Sequence, residues 1–542
     1  DEEDQAQILE KIRADQVKGW SGLGRQLKGH EATSYVTIAT EVAETDAMRL
    51  KDWLTDKRVG GVRFDAEERR VYNNQGLGSS VLGLTRVSDD GRIIGVSGLE
   101  ATYDSLLSGQ AGYSYEKRNN YTTKGVIPFS QSVSSPPVES RNLVSTLDLE
   151  AMQILQEELA SVGAAAGLTS GVHGLVMEAK TGDILAMGQL ASYDAADPAA
   201  MPLGFSPQSW EQLSSEEKTH YLSSKLWNNI NITDLYEPGS VFKAVTLAIG
   251  LEEGVAWEET IFNDDPVVIQ GEEISCYHVA GHGDETLSQA FCLSCNPVFV
   301  HLGMRVGQDL YYDWIRKLGF YDRTGIDLPA EAPGYLHSKP MPIDFANLTF
   351  GESSSMNAVS LARFFAVIGN GGYGVLPRLG QAWTEDGLET MEAFDLAQGN
   401  RLFSPETCQR VRSMMTQVVT QGTASGTFGA MGLNLGGKTG TAIDAADDRR
   451  TFSFLGLAPC DDPKYVVLVS IHKPETGITL SSSAARAANR VAARLLNREG
   501  IHQAYSKAEL DYLSRPVELP DLSHLTLGEA ALTLLQLNLN PV

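Results

Sequence analysis

The feature that most constrains the fold is a Pro-Gly turn that leads straight into an apolar helical run. Residues 236–243 read Tyr-Glu-Pro-Gly-Ser-Val-Phe-Lys, and the apolar run extends from Val245 to Leu251. The turn places Ser240 at the start of a helix, and Lys243 lies over the next turn on the same helix face. The lysine amine can therefore reach the serine hydroxyl.

The chemistry of this pair depends on the charge of the lysine. A serine hydroxyl is a weak nucleophile, and a neighbouring amine activates it only when that amine is neutral. From a reference pKa of about 10.4, a neutral lysine at pH 7 costs about 4.6 kcal/mol. The site must therefore lower the pKa of Lys243 by burial or with a second cation, and a second lysine would serve.

Ser-x-x-Lys alone is a weak signal, and two further motifs strengthen it. The same spacing at Ser215-Glu-Glu-Lys218 stands in a charged stretch without an apolar run after it, which indicates a solvated helix face. Ser294-Cys-Asn296 lies in an apolar segment, residues 290–300, where two polar side chains need a reason to be present. Lys438-Thr-Gly440 follows two glycines, which predicts an edge strand along which a ligand can lie.

The order of the motifs separates them from two look-alikes. Ser355-Met-Asn357 repeats the Ser-x-Asn pattern, and Lys180-Thr-Gly182 repeats Lys-Thr-Gly. Serine-lysine, then serine-asparagine, then Lys-Thr-Gly is the order found in penicillin-binding proteins and serine β-lactamases. Lys180 precedes Ser240 and falls in a predicted hairpin turn, so we interpret it as turn chemistry. Ser355-Met-Asn357 would be the Ser-x-Asn motif of the site only if Ser294-Cys-Asn296 were not.

Over roughly residues 143–500 the sequence resembles the class B penicillin-binding proteins, which are monofunctional peptidoglycan D,D-transpeptidases. Thr181-Gly-Asp-Ile-Leu-Ala-Met187 resembles the strand pair that opens the family's transpeptidase domain, and Ser97-Gly-Leu-Glu100 more loosely resembles its non-catalytic pedestal. The other matching motifs are, in order, residues 236–243, Gly281-His-Gly283, Ser294-Cys-Asn-Pro297, Leu318-Gly-Phe320, Gly325-Ile-Asp-Leu-Pro329, Ile368-Gly-Asn-Gly-Gly372, Gly437-Lys-Thr-Gly-Thr-Ala442 and Phe454-Leu-Gly-Leu-Ala-Pro459.

The resemblance implies a catalytic role for five residues. Ser240 would attack the carbonyl between the two terminal D-alanines of a stem peptide, with Lys243 as base. Ser294 would relay a proton to the departing nitrogen, and Asn296 would hold the peptide and Lys243. Lys438 would keep positive potential near the substrate carboxylate and help to lower the pKa of Lys243.

The same resemblance implies how substrate and inhibitor bind. Thr439, Gly440 and Thr441 would form the binding strand, with the two threonine hydroxyls on the substrate carboxylate. Backbone N–H groups of Ser240 and Thr441 would form an oxyanion hole. An amine from a neighbouring stem would then attack the acyl-enzyme and complete a cross-link, whereas β-lactams would stall as acyl adducts. We expect no cofactor and no metal in this mechanism.

The length of 542 residues predicts two or three domains, and we expect an α+β multidomain chain. An N-terminal α+β pedestal would cover residues 1–142. A transpeptidase domain of the penicillin-binding or serine β-lactamase type, an antiparallel sheet flanked by helices, would cover residues 143–505. A linker and a tail that resembles part of a PASTA repeat would cover residues 506–542. The net charge of −26 repels phosphate backbones and argues against nucleic-acid binding.

Hydrophobic periodicity and turn residues predict several elements. Residues 1–28 are helix-like, and Asp148 is positioned to cap the helix that follows it. We predict a helix over residues 41–56. We predict strands over residues 35–39, 81–87, 93–96, 143–147, 173–177, 183–187, 452–457 and 465–471.

Cysteine spacing gives a weaker signal. Cys292 and Cys295 form one CxxC pair, but neither a second close cysteine pair nor an HxxxH pair follows it, which argues against zinc. Cys276 and Cys295 read as small buried side chains. An alternative hypothesis is that they form a redox-sensitive disulfide that pulls Asn296 out of register and switches activity. His282 is predicted to be a turn or core residue.

No apolar run approaches the roughly 18–20 residues that span a bilayer. Together with the resemblance, this implies an ectodomain on the extracytoplasmic face of a bacterial membrane, without the family's single N-terminal anchor. The implied partners are peptidoglycan stem peptides, β-lactam antibiotics, and glycosyltransferase and divisome-like membrane proteins. Two alternatives stay open: a penicillin-sensing receptor domain, and a β-lactamase, for which the chain lacks a Glu-x-x-Leu-Asn element.

Overall fold

The computed structural model divides into two compact units, Asp1–Glu68 and Arg69–Val542. In the first unit, helix α1 (Glu44–Asp56) confirms the helix predicted over residues 41–56. The segment 1–28 and most of the strand predicted over residues 35–39 lie outside the described residues. The described residues are 39, 42–59, 62–65, 69–73, 76–88, 91–115, 133–202, 205–278, 281–385, 390–396, 399–425, 433–443, 449–474, 481–501 and 521–523.

Apart from helix α1, the described elements before Asp148 are short, and the other long elements follow it. A π-helical turn (Leu222–Leu226) and a 3-10 turn (Gly239–Phe242) accompany the α-helices. The further helices are α2 (Ser79–Leu82), α3 (Gly98–Thr102), α4 (Asp104–Leu107), α5 (Leu149–Ala166), α6 (Pro207–Glu211), α7 (Ser215–Tyr221), α8 (Ile230–Thr233), α9 (Lys243–Glu252), α10 (Leu287–Leu293), α11 (Asn296–Val306), α12 (Gln308–Lys317), α13 (Pro342–Leu348), α14 (Ala358–Gly369), α15 (Pro405–Thr420) and α16 (Ser481–Arg498). The strands are β1 (Thr85–Val87), β2 (Ile93–Gly95), β3 (Tyr113–Tyr115), β4 (Val133–Ser135), β5 (Asn142–Ser145), β6 (Val172–Glu178), β7 (Ile184–Gln189), β8 (Ile261–Asn263), β9 (Val267–Ile269), β10 (Glu272–Ile274), β11 (Asp284–Thr286), β12 (Gly380–Thr384), β13 (Thr390–Ala393), β14 (Gly436–Ile443), β15 (Arg450–Ala458) and β16 (Tyr465–His472).

Strands β1 and β2 pair as an antiparallel hairpin, but β1 starts later than the strand predicted over residues 81–87. Val81 and Leu82 were expected in the strand and lie instead in helix α2. The cause is the pair of glycines on either side: Gly78 and Gly83 have φ values of 68° and 92° and close a helical turn between them. The strand prediction was therefore wrong for the start of this segment.

A five-stranded antiparallel sheet in the order β14-β15-β16-β6-β7 forms the core of the second unit. Strands β6 and β7 confirm one predicted hairpin, and β15 and β16 contain the two predicted late strands. Nearly every residue of β15 and β16 is buried, so both faces of the sheet are covered. Helices α5 and α16 pack together against the sheet, and α14 and α15 form a second helical group on it. The predicted fold class, an antiparallel sheet flanked by helices, is confirmed.

Helix α5 begins as predicted, with Asp148 as its cap. The Asp148 side chain accepts hydrogen bonds from the backbone N–H groups of Glu150 and Ala151, both at 3.0 Å. The helix ends at Gly167, whose φ of 66° is left-handed. Just before the cap, β5 occupies most of the strand predicted over residues 143–147 and pairs with β12.

No helix in the described ranges is long and apolar enough to cross a bilayer. The predicted partial PASTA-like tail falls almost entirely outside the described residues, which include only Asp521–Ser523 of that segment.

Candidate active site

Ser240 lies in the 3-10 turn that leads into helix α9, and the α-helix itself begins at Lys243. Gly239 has a φ of 53°, and a Cβ at this position would lie 2.4 Å from the carbonyl oxygen of Thr441. Only glycine fits both the backbone conformation and the space. The serine turn therefore lies directly against strand β14, which carries the Lys-Thr-Gly motif.

The Lys243 amine is completely buried and links the Ser-x-x-Lys motif to the Ser-x-Asn motif. Its Nζ donates to Ser240 Oγ at 3.0 Å and to Asn296 Oδ1 at 2.6 Å. It also donates to the Ser294 carbonyl oxygen at 2.6 Å and to Ser294 Oγ at 3.2 Å. Burial lowers the pKa of Lys243 to about 7. The amine is thus close to its titration midpoint at neutral pH, as the activation of a serine requires.

The hydroxyl of Ser294 contacts both buried lysines. Lys438 Nζ donates to Ser294 Oγ at 2.9 Å and is also completely buried. Burial, and then the charge of Lys243, lower the pKa of Lys438 well below its usual value. Ser294 itself has a φ of 64°, a conformation that costs a non-glycine residue about 1–3 kcal/mol. Strain of this kind is concentrated at functional sites because the surrounding structure must support it.

Strand β14 is an edge strand of the five-stranded sheet, as predicted. Gly440 allows it to approach the serine turn, since a Cβ there would lie 2.7 Å from the carbonyl oxygen of Pro238. The Thr439 hydroxyl is 2.7 Å from that of Thr423, and Thr441 is exposed. An extended ligand can therefore pair with this edge beside Ser240.

The look-alike motifs have structural roles. Lys180 lies in the turn between β6 and β7 and forms an exposed ion pair with Asp462 at 3.1 Å. Asn357 caps helix α14 by accepting a hydrogen bond from the backbone of Ser360 at 2.8 Å. The Ser215–Lys218 stretch lies in α7, which has no buried residue.

Cys276 and Cys295, the pair considered as a redox switch, are both free thiols. They lie in one cluster with Asp264 and His282, in which one ligand atom from each residue is within 4.8 Å of all the others. His282, expected to be a turn or core residue, belongs to this cluster. The disulfide hypothesis stays a prediction. The spacing argument against a metal considered only neighbours in sequence, whereas the fold brings these four side chains together from separate loops.

Three residues near the site were not identified from the sequence. Thr423 carries no motif and contacts Thr439 only because α15 leads back to β14. Asp264 follows a short strand, and Glu285 lies in another strand that pairs with it. The only sequence signal for these two acids was their position around Gly281-His-Gly283.

Two protein-family models match the chain. The penicillin binding protein transpeptidase domain matches residues 173–497, and the penicillin-binding protein dimerisation domain matches residues 1–144. Stage V sporulation protein D of Bacillus subtilis is 27% identical over 496 residues, which cover 89% of this chain and 72% of the relative. Peptidoglycan D,D-transpeptidase FtsI of Escherichia coli is 25% identical over 435 residues, which cover 79% and 67% of the two chains.

Solved structures agree with these relatives. Penicillin binding protein 3 of Mycobacterium tuberculosis, complexed with ampicillin, has a TM-score of 0.67 and 26% sequence identity, and the match covers 81% of this chain and 91% of that one. The transpeptidase model spans more than half of the chain and contains all three site motifs. The chain therefore belongs to the class B penicillin-binding proteins, as its resemblance to them over residues 143–500 implied.

Proposed function

We propose that this protein is a peptidoglycan D,D-transpeptidase that forms an acyl-enzyme on Ser240. The observation that carries the proposal is the 3.0 Å contact between Ser240 Oγ and the buried Lys243 amine, whose pKa burial lowers to about 7. The names of the relatives support the same reaction, since one is a D,D-transpeptidase, and a related structure holds ampicillin.

In the first step, neutral Lys243 takes the Ser240 hydroxyl proton while Oγ bonds to the carbonyl carbon of the donor stem. Backbone N–H groups of Ser240 and Thr441 stabilise the resulting oxyanion; one such donor is typically worth about 10²–10³ in rate. The C–N bond to the terminal D-alanine then breaks. Ser294, in contact with the amines of Lys243 and Lys438, delivers the proton that the leaving nitrogen needs.

In the second step, an amine of a neighbouring stem attacks the ester carbon. A new C–N bond forms, the C–O bond to Ser240 breaks, and the serine oxygen recovers a proton through Lys243. Asn296 holds Lys243 in place at 2.6 Å throughout. Thr439, Gly440 and Thr441 bind the extended substrate along β14, with Lys438 supplying positive potential for its carboxylate.

We further propose a division of labour along the chain. Residues 1–142 act as a non-catalytic pedestal, residues 143–505 carry the reaction, and residues 506–542 form a linker and a partial PASTA-like segment. The reaction takes place at the extracytoplasmic face of the bacterial membrane, with glycosyltransferase and divisome-like proteins as partners. The name of the Escherichia coli relative, a peptidoglycan D,D-transpeptidase, supports a reaction on peptidoglycan.

Labelling with a fluorescent penicillin tests the proposal. The native chain should form a covalent adduct, and Ser240→Ala should abolish it. Ser355→Ala, which alters the look-alike serine, should label like the native chain. An adduct that survives Ser240→Ala would overturn the assignment of the nucleophile.

The lifetime of the adduct tests the alternatives. A transpeptidase should keep the penicilloyl group far longer than a hydrolase takes for one turnover, because the chain has no Glu-x-x-Leu-Asn element to activate a deacylating water. Rapid loss of the label would favour a β-lactamase. Stable labelling without any cross-linking of stem peptides would favour a penicillin-sensing receptor.

A further inference from the structure

A second cluster of reactive side chains lies beside the Ser-x-Asn motif. Asp264, Cys276, His282 and Cys295 each offer one potential ligand atom, and these atoms are all within 4.8 Å of one another. His282 Nδ1 is 3.5 Å from Cys276 Sγ and 3.5 Å from Asp264 Oδ2. A tetrahedral zinc site with bonds of about 2.0–2.3 Å has ligand-to-ligand distances of roughly 3.3–3.8 Å. The two 3.5 Å separations lie in this range, and the atoms that are furthest apart, at up to 4.8 Å, need to approach by about 1 Å to close around an ion.

We propose that these four side chains bind a zinc ion. Two thiols, an imidazole and a carboxylate form a mixed sulfur, nitrogen and oxygen donor set that suits zinc, whereas magnesium and calcium prefer oxygen ligands alone. Binding replaces the protons of the two thiols, which are released to solvent, and leaves the metal with four protein ligands. A closed set of this kind serves a structural role and carries out no chemistry on the substrate.

The backbone around the cluster holds the ligands in place. Asp264 follows β8, and its carboxylate accepts hydrogen bonds from the backbone N–H groups of His282 at 2.5 Å and Gly283 at 2.9 Å. These bonds fix the histidine loop against the acid and leave the imidazole nitrogen beside the thiol of Cys276. Outer contacts of this type orient metal ligands.

Two buried carboxyl groups at the same place are a second observation. Asp264 and Glu285 are only 5% and 4% exposed. The carboxyl group of Glu285 faces the Cys295 thiol, and neither of its oxygens has another hydrogen-bond partner among the described residues. The charged form of a buried carboxyl group with only a thiol beside it is unfavourable, and a divalent cation bound to that thiol's sulfur would stabilise it.

The position of Cys295 links this site to catalysis. Cys295 stands between Ser294 and Asn296, which both contact the Lys243 amine. Asn296 Nδ2 also donates to the carbonyl oxygen of Ser275, next to Cys276, at 3.5 Å. A zinc ion bound to both cysteines would therefore fix the Ser-x-Asn motif relative to Lys243, with the ligands acting as positioning residues.

Metal analysis of the full chain, prepared in reducing buffer without chelator and then given zinc and desalted, tests the proposal. The native chain should retain about one zinc ion per molecule, and His282→Ala should lower its zinc affinity by about 10–100-fold or more. His278→Ala, an exposed histidine of the same loop, should retain the metal. Cobalt substitution should give a thiolate-to-metal absorption band that Cys276→Ser weakens.

Three results would overturn the zinc site. They are the absence of bound metal in the native chain, equal metal content in the two histidine variants, and a Cys276–Cys295 disulfide in the freshly isolated chain without metal. These outcomes are independent of the nucleophile assignment, because Ser240→Ala should keep its zinc while losing its penicillin adduct.

Discussion

Lys243 and Lys438 are completely buried. The formal net charge of −26 belongs to the chain as a whole. Burial of an ammonium group is unfavourable, and two such groups that share one hydroxyl also repel each other. Ser294 Oγ lies 3.2 Å from one amine and 2.9 Å from the other. The pair therefore tends to lose a proton, which is how the site obtains a neutral amine at the pH of its surroundings.

The pKa of Lys243 predicts a pH dependence of acylation. Burial lowers this pKa to about 7, so the neutral amine that serves as base is lost as the pH falls through that value. The rate of acylation by a penicillin should rise through about pH 7, level off above it, and fall about tenfold per unit well below it. The other ionisable groups that act on Lys243 are Lys438, Cys295, Cys276, Glu352 and Glu285.

The measurement is the second-order rate constant of labelling across the range of about pH 5 to about pH 9, with the folded state checked at each end by circular dichroism. A flat profile in folded protein would contradict the role of Lys243 as base. So would a rate that decreases as the pH rises through about 7.

Single residues of the site could be predicted wherever a motif is continuous in sequence. Ser240 is followed by its lysine within one helical turn, and the Pro-Gly before it explains the turn. Asp264 and Glu285 could not be found in this way, because they meet Cys295 only after β8 pairs with β11 and α10 returns the chain to the site. Proximity of this kind arises from topology and leaves no local pattern.

At the scale of elements, the site depends on the close approach of strand β14 to the serine turn. Gly440 makes this possible, since an added Cβ would lie 2.7 Å from the Pro238 carbonyl oxygen and 2.5 Å from Ser453 Oγ. The strand prediction succeeded because glycines beside Lys-Thr-Gly mark a strand that another chain approaches. The prediction for residues 81–82 failed because the apolar pattern does not show that Gly78 and Gly83 have positive φ.

Gly440→Ala should separate β14 from the serine turn. The new methyl group would press against the backbone of Pro238, so the strand must shift by some tenths of an ångström. We expect the acylation rate to fall by about tenfold to about a hundredfold, because small misplacements of reacting groups are costly. The free energy of unfolding should also fall, by about 1–3 kcal/mol.

The matched control is Gly374→Ala, where an added Cβ has no neighbour closer than 3.6 Å. This variant should acylate at the native rate. Penicillin labelling kinetics and urea unfolding of both variants provide the measurements. Native acylation by Gly440→Ala would show that the serine turn does not depend on the position of this strand.

At the scale of the whole molecule, the region after Arg69 and the transpeptidase part belong to one compact unit. The domain boundary expected after residue 142 lies inside this unit and stays a prediction. Tyr103 shows how residues before 142 are held: its hydroxyl donates to Asp327 Oδ2 at 2.7 Å, and its ring packs edge-on against Trp383 at 5.4 Å. Such long-range contacts have no sequence signature.

Tyr103→Phe should therefore weaken this attachment without altering the active site. The Asp327 carboxylate would still accept hydrogen bonds from the backbone N–H groups of Leu379 and Gly380, at 2.7 and 2.6 Å. It would lose the hydrogen bond from the Tyr103 hydroxyl. A hydrogen bond to a charged group contributes about 1.5–3 kcal/mol, so the free energy of unfolding should drop by about 2 kcal/mol. Urea unfolding measures this drop. Tyr113→Phe, at an exposed tyrosine, is the control and should leave the free energy of unfolding unchanged.

Penicillin labelling should stay at the native rate in both variants, because Tyr103 contacts no residue of the Ser240 site. An equal unfolding midpoint for Tyr103→Phe and the native chain would mean that other contacts hold this region to the transpeptidase part.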